Sequence, residues 1–146
     1  MTELRENHDE LHDPWLVAVW PGMGNVAMTA GFYLMAKLRM HQFAEFSARE
    51  LFDFENVEVR EGLIQSGRLP RSRFFLWSDP EKKRDLVVFL GEAQPPSGKN
   101  AFCRQLVEYA RDLHVRRVVT FAAMATGMRP SHRARVFAAA TQQEDL

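Results

Sequence analysis

The residues Trp15-Leu-Val-Ala-Val-Trp20 form an unbroken apolar run that stops abruptly at Pro21-Gly22-Met23-Gly24. A short continuous run of this kind reads as a strand covered on both faces, and a proline beside two glycines ends it. Asn25 then stands where a side chain can cap a helix. Beyond it Met28, Leu34, Met35 and Leu38 recur at helical spacing, while Ala27, Ala30 and Gly31 give that helix a thin face able to approach a sheet closely. Strand, glycine turn and helix in this order open an α/β domain.

The next part of the chain is more broken. Residues 42–46 read as a second short strand and 48–52 as a single helical turn. Residues 57–60 and 63–65 flank Glu61-Gly62, the pattern of a small hairpin. Gly67 and Pro70 interrupt before the aromatic strand Arg73-Phe-Phe-Leu-Trp77, and a polar turn over 78–84 leads into Leu86-Val-Val-Phe-Leu90, the most strand-like run of all. Gly91-Glu-Ala-Gln-Pro-Pro-Ser-Gly98 has two prolines and two glycines, which excludes regular structure. A helix is expected over 99–113, where Phe102, Leu106, Tyr109, Ala110 and Leu113 make one apolar stripe. A strand over 115–121, the small-residue stretch Ala122-Ala-Met-Ala-Thr-Gly127 and a last short strand over 135–140 follow. The chain has no repeat, linker or low-complexity block.

These elements fit one α/β domain over 14–146, preceded by a flexible acidic tail over 1–13, as expected for 146 residues. A content of 46% hydrophobic and 26% charged residues excludes wholesale disorder and a fibrous repeat. No apolar run approaches the ~20 residues needed to cross a bilayer. The polar start carries no secretory hydrophobic region. The expectation is a cytoplasmic protein without a membrane partner. Cys103 is the single cysteine, which rules out an internal disulfide framework and a cysteine-rich zinc site. His8 and His12 have the spacing of two metal ligands on a helix, but no third ligand accompanies them and neighbouring Asp9 and Asp13 suit a solvated segment; no metal or cofactor is expected.

The zero net charge hides an asymmetry. Over 2–13, Glu3, Glu6, Asp9, Glu10 and Asp13 oppose only Arg5. Over 93–143, eight bases (Lys99, Arg104, Arg111, Arg116, Arg117, Arg129, Arg133 and Arg135) oppose Glu108 and Asp112. Such a basic half either holds an anion or an acidic protein surface, or is a solvated face.

Three loops each follow a strand, the position at which open α/β sheets form their ligand crevice. In the first, Gly22 and Gly24 permit close backbone approach, and a helix opening near Asn25 would aim free N–H groups at an anion. The same glycines also suit a tight turn that needs positive φ. In the second, Glu92 and Lys99 offer a proton acceptor and an anion partner, or Ser97 caps the helix and Lys99 faces solvent. In the third, Thr120, Thr126, Arg129, His132 and Arg133 form an anion cluster if folded inward, or ordinary surface arginines otherwise. The candidate anion site is therefore Gly22, Gly24, Asn25, Glu92, Lys99 and Arg129. No catalytic residue is assigned. Cys103 adjoins the apolar stripe and reads as core, Asp53 and Glu55 carry no mechanism on spacing alone, and the phenylalanines lie among strand residues rather than along a basic stripe. No nucleic-acid partner is expected.

Trp20-Pro-Gly-Met-Gly-Asn-Val-Ala27, Gly91-Glu-Ala-Gln-Pro-Pro-Ser-Gly-Lys99 and Arg117-Val-Val-Thr-Phe-Ala-Ala-Met-Ala125 together resemble the proteasome-assembly-chaperone family, whose broad membership includes bacterial and archaeal proteins. The resemblance covers most of 15–142. It implies a fold similar to purine nucleoside phosphorylases: a mixed, largely parallel sheet with helices on both faces. It further implies a non-catalytic, chaperone-like interaction module for a protein client; a homo-oligomer is the other expectation, from the open sheet edge that a shortened chain would leave. Eukaryotic members dock on proteasome α-subunits through a penultimate tyrosine; Glu144-Asp145-Leu146 has none, so that docking mode does not carry over. Members usually continue beyond the position of Thr141, which implies a short or truncated chain whose sheet edge a partner covers. The alternative expectation is an enzyme or binding protein for a phosphate-bearing small molecule, such as a nucleoside or nucleotide, at the three loops.

Overall fold

Residues 11–46, 52, 57–127, 129 and 131–145 are described by the structure, a computed structural model. The opening apolar run becomes β1 (Trp15–Val19), and a short turn of 3-10 helix at Met23–Asn25 leads into α1 (Val26–Leu38). There follow β2 (His41–Phe46), the hairpin of β3 (Val57–Arg60) and β4 (Leu63–Ser66), β5 (Ser72–Trp77), β6 (Leu86–Gly91), α2 (Lys99–Asp112) and β7 (Arg117–Thr120).

One sheet has five strands in the order β2-β5-β6-β1-β7; β3 and β4 form a separate two-stranded sheet. Strand β1 pairs in parallel with β6 and β7, whereas β5 is antiparallel to both β6 and β2. The α/β sheet is mixed, as expected, but its pairings divide evenly rather than being largely parallel. The cause is connection length. A short polar turn between β5 and β6 returns the chain antiparallel, while α2 supplies the long crossover that the parallel pair β6 and β7 require on either side of β1.

Burial follows the strand period of two. Leu16 and Ala18 join Phe74, Phe89, Phe102, Leu106 and Ala110 in one apolar cluster, whereas Val17 and Val19 join Ala27, Val88 and Leu90 in another. The α2 stripe is thus the expected one. The thin face of α1 also does what its sequence suggests: a Cβ on Gly31 would sit 2.7 Å from Cγ2 of buried Val19, so only glycine permits this approach.

Several local expectations are overturned. The strand expected over 135–140 does not form; residues 131–140 have no regular structure, and Val136 is 95% exposed. That run ends in three alanines and has one β-branched residue, a weak strand former with no sheet edge paired to it. Asn25 does not cap α1 with its side chain, because it is left-handed at φ 52° rather than extended as a capping residue must be. Gly98, at φ 64°, takes the cap position of α2 instead of Ser97. Cys103 is exposed, one position outside the buried line of Phe102 and Leu106. The helical turn expected over 48–52 lies outside the described residues apart from Phe52, which is buried, and Asp53, Glu55 and His8 lie outside them too. Of the segment expected as a tail, only residues 11–13 are described: Leu11 packs against the core and the His12 N–H donates to Asp85 Oδ2 at 2.8 Å. No helix among the described residues is long and apolar enough to cross a membrane.

Candidate functional site

Because β6, β1 and β7 run in parallel, the loops after all three leave the same edge of the sheet. The first two are joined: Gln94 Nε2 donates to the Pro21 carbonyl at 3.1 Å, and Trp20 lies against Gly91, where a Cβ would come within 2.5 Å of the indole ring. Gly24 requires its glycine, at φ 63°, but Gly22 is extended and has open space at its Cβ position. The Asn25 N–H closes this turn by donating to the Gly22 carbonyl at 3.0 Å. Gly22, Gly24, Asn25, Lys99 and Arg129 are all exposed.

Glu92 is already engaged. It accepts from the Arg71 N–H at 3.0 Å and from Arg73 Nη2 at 2.8 Å, and Arg68 Nη2 approaches it at 2.9 Å. Its carboxylate therefore ties the loop after β6 to the start of β5. Beside it, Arg71 grips Glu45 through Nε at 2.8 Å and through Nη2. The hydrogen bond from Arg71 holds the Glu45 carboxyl below the ordinary glutamate range, against the opposing effect of partial burial. A depressed folded-state value adds stability above the ordinary value, and that stability is lost as pH falls through the folded one. The stability gap between the wild type and Glu45→Gln should hold from pH 7 to about 5 and shrink below about 4.3 in urea melts across pH.

The hairpin presents a different chemistry. Its register pairs Val57 with Ser66, Glu58 with Gln65, Val59 with Ile64 and Arg60 with Leu63. Val57, Val59 and Ile64 consequently share one face and are 67%, 66% and 76% exposed. The other face carries the Arg60–Glu58 ion pair at 2.8 Å. The tip at Glu61-Gly62 has positive φ at both residues, 53° and 81°, which fixes the register. Val57, Val59 and Ile64 thus form an uncovered apolar face, and Leu63, on the face of the ion pair, is 66% exposed as well. At the far edge of the large sheet, Val118 of β7 and Phe121 just after it are also exposed.

At the opposite end of the parallel strands lies a hollow of about 340 Å³, lined by Asp13, Trp15, Arg84, Arg116 and Arg117. Its residues come from the segments that enter β1, β6 and β7.

Residues 16–146 match the model of the PAC2 family. The chain belongs to the PAC2 family. This upholds, at family level, the resemblance carried by the three motifs. The PAC2 chain is similar in fold to Pyrococcus furiosus PbaB, an archaeal proteasome activator, at 21% identity and TM-score 0.63 over 82% of this chain and 48% of that one. A Mycobacterium tuberculosis proteasome-assembly chaperone homologue is similar at 23% identity and TM-score 0.63, over 75% and 49%. Pyrococcus furiosus PbaA, an archaeal homolog of proteasome-assembly chaperone, shows 18% identity and TM-score 0.58, over 85% and 50%. The chain spans about half the length of these structures. No curated protein matches it.

Sequence reasoning placed the polar candidates of this PAC2 chain at the carboxyl ends of the strands and missed the hollow at their amino ends. The available signal was the basic pair Lys83-Arg84 shortly before β6 and the pair Arg116-Arg117 at the start of β7, together with Trp15 opening β1.

Proposed function

We infer that this PAC2 chain is a non-catalytic, assembly-chaperone-like interaction module that works as a homo-oligomer or on a protein client. The observation that carries this reading is the uncovered apolar face of Val57, Val59 and Ile64 on a hairpin outside the main sheet. Exposed apolar surface of this kind is what protein contacts bury. The similar structures described as proteasome activator and assembly-chaperone homologues support the same reading. The division of the core into two clusters supports the finer one, a phosphorylase-type architecture with a helix on each face.

The alternative, a nucleoside or nucleotide site at Gly22, Gly24, Asn25, Glu92, Lys99 and Arg129, carries less. The one carboxylate in that set is bound by arginines of its own fold.

Light scattering at micromolar concentration is expected to give a mass above that of one chain. The double substitution Val59→Lys/Ile64→Glu, which sets opposite charges directly across the hairpin and so keeps its pairing, should lower that mass or abolish client capture. A wild-type chain that stays monomeric and copurifies with no partner from its host overturns the reading. So does turnover of nucleosides with phosphate at ordinary enzyme rates.

A further inference from the structure

The hollow at the amino ends of β6, β1 and β7 is built by backbone as well as side chains. The Arg116 N–H donates to the Pro14 carbonyl at 2.8 Å, and the Trp15 N–H donates to the Asp85 carbonyl at 3.1 Å. These bonds fix the strap that carries Asp13 and Trp15 between the strand starts. Arg84 donates to Asp13 Oδ2 through Nε at 3.0 Å and Nη2 at 2.7 Å, and Arg116 Nε lies 3.6 Å from Oδ1. The guanidinium carbons of Arg84 and Arg117 stand 4.3 Å and 5.1 Å from the Trp15 ring centroid. The indole thereby restrains two long side chains that would otherwise sample many rotamers.

Among the described residues, Arg84 and Arg116 share the single carboxylate of Asp13 at the hollow. Asp13 shows where an oxyanion sits: within reach of two guanidinium groups whose planar forks match carboxylate and phosphate oxygens. If it swung away, the site would present at least two positive charges, which a phosphate monoester neutralises with about −1.5 to −2 near pH 7. A carboxylate would not. The volume of about 340 Å³ falls in the range of small-molecule sites and leaves room for an organic group beside the phosphate.

We propose that this hollow binds the phosphate group of a small phosphomonoester, held by Arg84 and Arg116 in place of the Asp13 carboxylate. The site is at the opposite end of the strands from the candidate loops and is separate from the apolar hairpin.

Calorimetric titration of the whole chain with inorganic phosphate and with glycerol phosphate, at constant ionic strength, tests it. Both probes should bind saturably at one site, glycerol phosphate at least as tightly. Arg116→Ala, at an arginine whose side chain is 74% exposed and whose loss leaves the fold intact, should weaken binding about tenfold. Asp13→Asn should tighten it about tenfold, because the competing charge is gone while asparagine tolerates the positive φ of 43°. Mere loss of structure cannot produce that gain. Equal affinity in the three proteins, weaker binding in Asp13→Asn, failure of glycerol phosphate to bind, or an effect that chloride reproduces would overturn the proposal.

Discussion

Phe89→Ala should lower the unfolding free energy by about 3–5 kcal/mol, the usual cost of emptying a phenylalanine site in a core. Phe89 is fully buried at the centre of β6, and its ring stands 4.9 Å from Phe74, 5.2 Å from Trp20, 6.0 Å from Phe102 and 6.3 Å from Phe46. Those four rings come from β5, the turn after β1, α2 and β2, so one side chain joins every layer of its cluster. All four pairs are tilted, and whatever they contribute beyond area burial is lost within that total. For a domain with a total of about 5–15 kcal/mol, this is a large share. Thermal unfolding should show a melting temperature lower by about 10–15 °C, at roughly 3 °C per kcal/mol. Phe32→Ala is the control: that ring is exposed on α1, and its removal should stay within about 0.5 kcal/mol. Equal losses in the two variants would show that the aromatic cluster is not the centre of the core.

The place of Phe89 in a strand was legible, because Leu86-Val-Val-Phe-Leu90 is apolar at every position and only a central strand tolerates that. The stripe of α2 and the glycine turn after β1 were legible for the same kind of reason: each is a local pattern with a physical period. The 135–140 strand failed because an apolar run is only an offer of pairing, and no edge accepts it. Asn25 was placed at the start of α1, but its left-handed backbone and the cap at Gly98 were missed, because left-handed backbone is set by the angle at which each helix leaves its strand, which composition does not encode. The hollow was missed for a third reason. Trp15, Arg84 and Arg116 are far apart in sequence, and only the parallel register that sets Trp15 beside Leu86 and Arg117 brings them together. Recognising the family from three motifs succeeded where spacing arguments could not, yet it assigned no site residue, and the strand-end argument pointed to the loops rather than to this end of the sheet.

Asp85→Ala is expected to cost about 2–4 kcal/mol, although among the described residues no cation stands closer to it than 3.8 Å. Asp85 is only 3% exposed, and His12 Nδ1 stands 3.8 Å from its Oδ2. What it does is accept two backbone N–H groups: His12 at Oδ2 and Asp79 at Oδ1, both at 2.8 Å. Its own N–H donates to the His12 carbonyl at 2.8 Å. One buried carboxylate thus locks the 78–84 turn and the 12–15 strap onto the start of β6. Alanine would leave two donors without partners, each costing about 1–3 kcal/mol where water cannot reach. Asparagine keeps one acceptor oxygen, so Asp85→Asn should lose about half as much. The readout that separates this role from simple core loss is at the hollow, because the strap carries Asp13 and Trp15. In Asp85→Ala, amide exchange should quicken at His12 and Asp79 and the Trp15 indole resonance should move, while amides of α1 keep their protection. Uniformly faster exchange across both helices would mean that Asp85 supports the fold as a whole rather than this strap.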